Sequence, residues 1–495
     1  MPGPKAKLFP LFKLFSLFIL LSSFFVPAAL AAPPFSQDDH FMNTPNTAPS
    51  TTPPIDHLEI VGVGISVETW RNHPSYPQFN LWHAVQAAQG DYIISQDARK
   101  YPKNLEEWQM LGAKRKEDVV EIAMREFMDR YPLPIAVFGP SLQGPAAHDA
   151  TEIESTLRAN ASSFVITKST EPYTHVGEFA GLLTQSGQVT NSYLNDNPDR
   201  FWQTLFNTFD QNPDMPAAGI AAKDGVIQRA ASFYEHDREK FEKLAANAYG
   251  IKHARIPSDN WTFLTLIRRG RIDWLRPYVR FVQDNMRVKN RGGEPSRNRS
   301  QFVGWNTPHH PPFTPTPYIP KPWTAFQIDQ FDHLEILGRV QRPQVITYLD
   351  EQGKPLKKAA RNARMETALR AVLAPLGGTL PTRIFYDYGI DNPNAALRWT
   401  PFVEAVQALD EDFSLSDPQQ AYNLASILGD LGTGSPFVAV ALATMAGLQS
   451  GGPTLIANLR RDDGATLLLV TPPTAAERAR DAAIKRPFWP RFYGF

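Results

Sequence analysis

The chain has 495 residues, 42% of them hydrophobic and 20% charged, with 50 Lys and Arg set against 50 Asp and Glu and no Cys. That length suits two or three domains of ~100–200 residues each, and the charge balance gives no footprint for a nucleic acid or an acidic tail. Without Cys there is no disulfide, no thiolate nucleophile and no Cys-ligated zinc site.

Residues 1–31 carry Lys5 and Lys7, the apolar run LFSLFILLSSFFV and Ala29-Leu30-Ala31. This is the charged, apolar, small-residue order of a secretory signal, with cleavage after Ala31 favoured. An uncleaved anchor over residues 8–30 is the other reading, since that length just spans a bilayer. Either way the rest of the chain is expected across the inner membrane, in the periplasm or anchored there, touching the membrane only through an uncleaved segment. Residues 32–54 are rich in Pro, Thr, Ser and Asn, the composition of a disordered linker.

An N-terminal α/β domain is expected over 55–290. It opens on the β-rich run IDHLEIVGVGISV, followed by helical spacing over 81–88. Residues 117–130 read as an amphipathic helix, 133–138 and 163–167 as strands, 201–209 as a helix around Trp202 and Leu205, and 217–222 as a short strand. The aromatic and Arg-rich stretch 261–282 reads as a further helix or helix pair. A Pro-rich surface connector follows over 291–322, containing NTPHHPPFTPTPYIPKP, too rich in Pro for helix or inner strand. Phe302, Trp305, Phe313, Tyr318 and Trp323 recur through it, large rings that a free spacer would have no use for.

A second α/β domain is expected over 323–480, and eight residues after Trp323 comes Phe331-Asp332-His333-Leu334-Glu335-Ile336. This repeats the Asp56-His57-Leu58-Glu59-Ile60 of the first domain, and Gly338 matches Gly62 at the same spacing, so the two runs are read as corresponding edges of two domains. As neighbours on a strand, Asp and His point to opposite faces and cannot serve one another. Residues 345–349 and 382–386 read as strands, 359–373 as a helix, and 401–409 as a helix with Pro401 in its first turn.

The organising stretch is 427–472. Ser435 reads as an N-cap and Pro436 as the first helical residue. From Phe437 to Leu448 almost every residue is apolar or small, so the helix has no face to give to water and must be covered by protein on all sides. After Gly451-Gly452-Pro453, residues 454–459 and 465–470 read as a hairpin turned by Arg460-Arg461-Asp462-Asp463-Gly464. Residues 481–495 form a C-terminal tail.

Candidate chemistry is sparse. Gly139-Pro140-Ser141-Leu142-Gln143-Gly144 follows a strand, as a hydrolase elbow would, but Gln143 replaces the second required Gly and Pro140 restricts the turn. His309-His310 lack the spacing of a helical zinc site. Arg268-Arg269-Gly270-Arg271 reads as a salt-bridging or partner-facing surface. The loop Gly429-Asp430-Leu431-Gly432-Thr433-Gly434 precedes a helix and could hold an anion on its backbone N–H groups, although it lacks the Lys of a P-loop. No catalytic residue, metal ligand or cofactor site is assigned.

LEIVGVGISVETWR, PWTAFQIDQFDHLEILGRVQRPQVITYLDEQGKPLK and LGDLGTGSPFVAVALATMAG with NLRRDDGATLLLVTPP together resemble the bacterial type VI secretion lipase-effector adapter family. That resemblance implies a non-enzymatic adapter whose partners are an antibacterial lipase effector and the secretion spike protein, with no nucleic acid. An adapter that loads cargo before firing belongs in the cytosol, in tension with the exported N-terminus. VGVGIS, and the glycine loop, buried helix and hairpin, are also similar to the thiolase-like fold of ketoacyl synthases. This implies two similar α/β halves in a layered fold with a buried helix between sheets. Asp430 stands where the catalytic His of those enzymes would be, and their Cys has no counterpart. The alternative function is an enzyme acting on lipids or acyl groups, a hydrolase or acyltransferase, through an unrecognised site.

Overall fold

In a computed structural model, the described residues are 53–73, 76–94, 105–130, 135–138, 164–165, 173–179, 182–186, 192–193, 199–225, 258–284, 303–316, 318–319, 321–389 and 395–484. The expected targeting segment, nearly all of the expected linker, Ser141 and residues 485–495 lie outside them. The first half runs β1 (His57–Val67), β2 (Trp70–Arg71), α1 (Leu81–Ala88), α2 (Leu105–Arg130), β3 (Ile135–Phe138), β4 (Phe164–Val165), β5 (Tyr173–Phe179), β6 (Leu182–Ser186), β7 (Ser192–Tyr193), α3 (Asp199–Gln211), β8 (Ala217–Asp224) and β9 (Asn260–Ile267). After the short β10 (Val282–Asp284) and β11 (Val303–Trp305) come α4 (Ala325–Asp332), β12 (Gly338–Gln341), β13 (Gln344–Thr347), α5 (Lys358–Val372), β14 (Arg383–Asp387) and α6 (Ala395–Gln407). The chain closes with β15 (Ala421–Asn423), α7 (Leu424–Leu428), α8 (Ser435–Ser450), β16 (Thr454–Asn458), β17 (Gly464–Thr471) and α9 (Ala475–Ala483).

The two halves share one strand order. In the first, β1-β9-β8-β3-β6 lie side by side, the first two pairings antiparallel and the last two parallel. In the second, β12-β17-β16-β14-β15 repeat both order and orientation. The halves join where β1 and β12 pair antiparallel, His57 opposite Gln341 through Ile60 opposite Gly338. The repeated pentapeptide therefore marks equivalent places in different conformations: the first copy enters β1, whereas Asp332 ends α4 and residues 333–337 lead into β12.

Glycine explains how closely β1 is covered. A Cβ at Gly62 would stand 1.8 Å from the Ala123 carbonyl oxygen, and one at Gly64 1.8 Å from that of Val119. The backbone of α2 thus rests on the strand where no side chain intervenes. Three cores result. An inner one holds Ile60, Ile65, Leu264 and Ile220 from the first half, Val340, Phe385, Ile456 and Leu468 from the second, and both α3 and α8. Outer cores lie under α2 and α4 on one side and under α5 and α6 on the other. Two similar α/β halves thus stack in layers, with α8 buried from Ser435 to Gly447. Phe437 of α8 meets Phe201 and Trp202 of α3 at ring-centroid distances of 5.1 and 5.7 Å.

Several local expectations change. Residues 261–282 are not a helix pair: through Ile267 they form β9, buried along nearly its whole length. Only then comes a 3-10 helix, Arg269–Phe281, with Pro277 inside it, where the missing N–H disfavours a regular α-helical ladder. Ser435 is the first helical residue rather than the cap, and Gly434 takes the cap position. α6 begins at Ala395, so Pro401 lies inside it rather than in the first turn. α2 begins at Leu105, well before the expected residue 117. The described part of the Pro-rich connector is laid on the first half: Phe313 stacks on Trp274 at 5.7 Å and meets Tyr278 edge-on at 5.4 Å.

Candidate functional site

The glycine loop between α7 and α8 lies at the carboxyl ends of strands from both halves. Gly429 (φ 81°) and Gly432 (φ 54°) adopt the left-handed region, and a Cβ at Gly434 would stand 1.8 Å from Asn260 Oδ1. The loop's N–H groups point at anions, but the anions belong to the protein. Gly432 N donates to Asp430 Oδ1 at 2.9 Å and Thr433 N to Asp224 Oδ2 at 2.7 Å. Gly434 N donates to the Leu431 carbonyl at 3.0 Å. The expected anion cradle is therefore filled from within: carboxylates from the loop itself and from the end of β8 take the place a ligand would occupy.

Arg460 anchors the second half of this layer. It is 1% exposed, and it donates to Asp387 Oδ2 at 3.1 Å and to Asp430 Oδ1 at 2.8 Å. Ser435 Oγ donates to the same Asp387 oxygen at 2.5 Å, which ties the start of α8 to the end of β14. On the first-half side, Ser258 N donates to the Asp430 carbonyl at 2.8 Å and Ser258 Oγ to that of Leu428 at 2.7 Å. Next to it, Arg115 of α2 donates to Asp259 Oδ2 at 2.6 Å and to Glu68 Oε2 at 3.1 Å. Burying charges is costly unless each meets a partner in good geometry, and here Arg115 pairs with two carboxylates of the first half and Arg460 with two of the second.

This arrangement suits a fixed joint better than a reaction. A nucleophile needs a base beside it and room for a reacting atom. Ser435 is 1% exposed, and the Asp387 oxygen it meets is shared with Arg460. Asp430, at the position the thiolase resemblance gives to a catalytic His, is an ion-pair partner.

Of the other sequence candidates, Ser141 lies outside the described residues, while the basic cluster and His310 take structural roles. Arg269 pairs with Glu59 at 2.8 Å and donates to the Phe331 carbonyl at 2.9 Å, and Arg271 donates to that of Phe209 at 3.0 Å, so the basic cluster ties elements together. His310 stacks on Trp305 with centroids 3.7 Å apart, while His309 is exposed. His57 corrects the expectation that it cannot meet its neighbour. Asp56 precedes β1, where strand alternation does not apply, and its carboxylate lies 2.9 Å from His57 Nδ1. Arg268 stands 3.0 Å from Nε2, and burial, the largest influence, pushes the imidazole below its ordinary pKa. Sequence reasoning missed Glu68, Arg115, Asp224, Asp259, Asp387 and Arg460. The available signal was charged residues closing apolar strands, as in AAGIAAKD and RIFYD.

Two family models match the chain: one described as "Type VI lipase adapter protein Tla3, N-terminal" over residues 56–243, and its C-terminal counterpart over 337–472. Similar solved structures include a ketosynthase in complex with its type II PKS acyl-carrier protein, AntDE:AntF. It is 11% identical with TM-score 0.43, covering 84% of this chain and 99% of that one. A second is the Streptomyces albus oxazolomycin ketosynthase domain OzmH KS8, at 10% identity and TM-score 0.39, covering 88% and 99%. A third is the peroxisomal 3-ketoacyl-CoA thiolase of Saccharomyces cerevisiae, at 10% identity and TM-score 0.34, covering 84% and 98%.

Proposed function

Because the chain belongs to the type VI lipase adapter family Tla3, we propose that it binds an antibacterial lipase effector and helps load it onto the secretion spike without performing chemistry itself. The observation that carries this reading is the family match across both halves. The glycine loop supports it, because Asp224, Asp430 and Arg460 there are engaged in hydrogen bonds and ion pairs within the protein. The N-terminal segment adds a question of compartment, and the reading extends to a body held across the inner membrane by residues 1–31 or released after Ala31.

Co-purification of residues 32–495 with an antibacterial type VI lipase effector, and then with the spike protein, tests the proposal. A stoichiometric complex with the lipase that also captures the spike is expected. Failure to bind either protein, or turnover on a lipid and acyl-thioester panel that Ser141→Ala abolishes, would overturn it. Fractionation of cells expressing the full chain decides the compartment: recovery outside the cytosol supports export, and a cytosolic body supports loading before firing.

A further inference from the structure

Among the described residues the last helix, α9, is attached in an unusual way for an element that packs on β12, the strand of the second half that pairs with β1. Thr474 and Glu477 form a capping box at its start, and none of its residues is buried. Ala475, Ala476, Arg478, Ala479, Arg480, Ala482 and Ala483 are exposed, whereas Glu477, Asp481 and Ile484 are partly covered. These three fall at the i, i+4, i+7 spacing of one face, so the inward stripe is two carboxylates and a single isoleucine just past the helix end.

Each carboxylate grips the segment that leads into and through β12. Glu477 accepts from both terminal guanidinium nitrogens of Arg339, one at 3.1 Å, and Asp481 Oδ2 accepts from Ile336 N at 3.1 Å. Arg269 and Arg480 add positive charge near Asp481. A helix of nine residues is marginal by itself, since isolated helices below ~12–15 residues rarely hold in water. Beside it lies a groove of about 530 Å³ lined by Ile336, Leu448, Pro473 and Ala482 with Arg478 and Asp481. Leu448, at the end of the central helix, is 37% exposed there.

We propose that α9 is an electrostatic latch on the joint between the halves, docked through Glu477 and Asp481 and released as a unit by salt while the body stays folded. Release uncovers Ile336 and the end of α8. Elements with few buried apolar contacts occupy the low-stability end of a structure. The Glu477–Arg339 pair, with side chains 21% and 17% exposed, weakens as the screening length falls from about 10 Å at 0.1 M salt to about 3 Å at 1 M. The Asp481 carboxylate, 4% exposed, is screened less and follows when the helix start lets go.

Hydrogen exchange of the full chain at those two salt concentrations tests the latch. Amides of residues 475–484 should exchange about tenfold faster at high salt, with α8, β1 and β12 unchanged. Trypsin cleavage after Arg478 and Arg480 should accelerate in parallel. The double variant Glu477→Gln and Asp481→Asn, which keeps shape and the cap while removing charge, should exchange fast at both concentrations. Salt-independent protection of α9, or full protection in the double variant, would show that packing rather than charge holds the helix and would overturn the proposal.

Discussion

His57 shows how a single residue's setting can defeat a pattern rule. Alternation along a strand separates adjacent side chains only when both lie in the strand, and Asp56 sits one residue before it. The imidazole is then held between the Asp56 carboxylate and the Arg268 guanidinium at the pairing of β1 with β12. Burial, the first influence, and the neighbouring Arg268 and Arg339 outweigh Asp56 and Glu59, so the folded pKa lies below the ordinary 6.5. The folded protein therefore binds fewer protons at this site than the unfolded chain does. Its stabilising contribution is present above pH ~6.5 and is lost as pH falls through the folded pKa. Urea unfolding across pH 7.5 to 5 should show stability declining in the wild type and a shallower decline in His57→Gln. A His57 ring titrating at or above 6.5 by NMR would contradict this. The buried Arg460 layer was illegible in the sequence for a related reason: its partners are brought together only by strand order, and no short spacing records that.

Among the elements, α8 was the most legible, because an apolar helix with no polar period has only one place to go. Its start was misread. Ser435 donates to Asp387 instead of accepting from the helix amides, and Asp387 sits far away in sequence. The hairpin β16–β17 was legible from its two apolar runs, and its antiparallel register runs from Thr454 opposite Val470 to Asn458 opposite Thr466. Strand β9 was missed because Trp, Thr and Phe in NWTFLTLI sit beside an Arg-rich stretch, and burial of both faces removes the alternation that marks a strand. Ala439, 2% exposed in the middle of α8, tests the burial directly. Ala439→Asp places a carboxyl without a partner in the inner core, a cost of several kcal/mol against a total stability of ~5–15 kcal/mol. The variant should be insoluble or lack a cooperative melt, and an unchanged melting temperature by circular dichroism would show that the site tolerates water.

At the scale of the molecule, the duplication was signalled by Asp-His-Leu-Glu-Ile, but the shared strand order could not be read, since long-range pairing leaves no local trace. The halves are nevertheless one thermodynamic body on this structure. The inner core draws on strands of both halves and on α3 and α8 between them, so separating the halves would expose the apolar faces of both sheets at about 25 cal/mol per Å². The buried charge layer crosses the same boundary through Ser258, Asn260 and the 428–434 loop. Tyr318 of the connector packs against both the inner core and an outer one. Neither half can then unfold without uncovering the other, and calorimetry should record one endotherm whose calorimetric and van't Hoff enthalpies agree. Proteolytic nicking between Arg299 and Lys321 should leave the two pieces associated under native conditions. Two resolved endotherms, or fragments that separate and each remain folded, would mean that the inner core is two cores in contact.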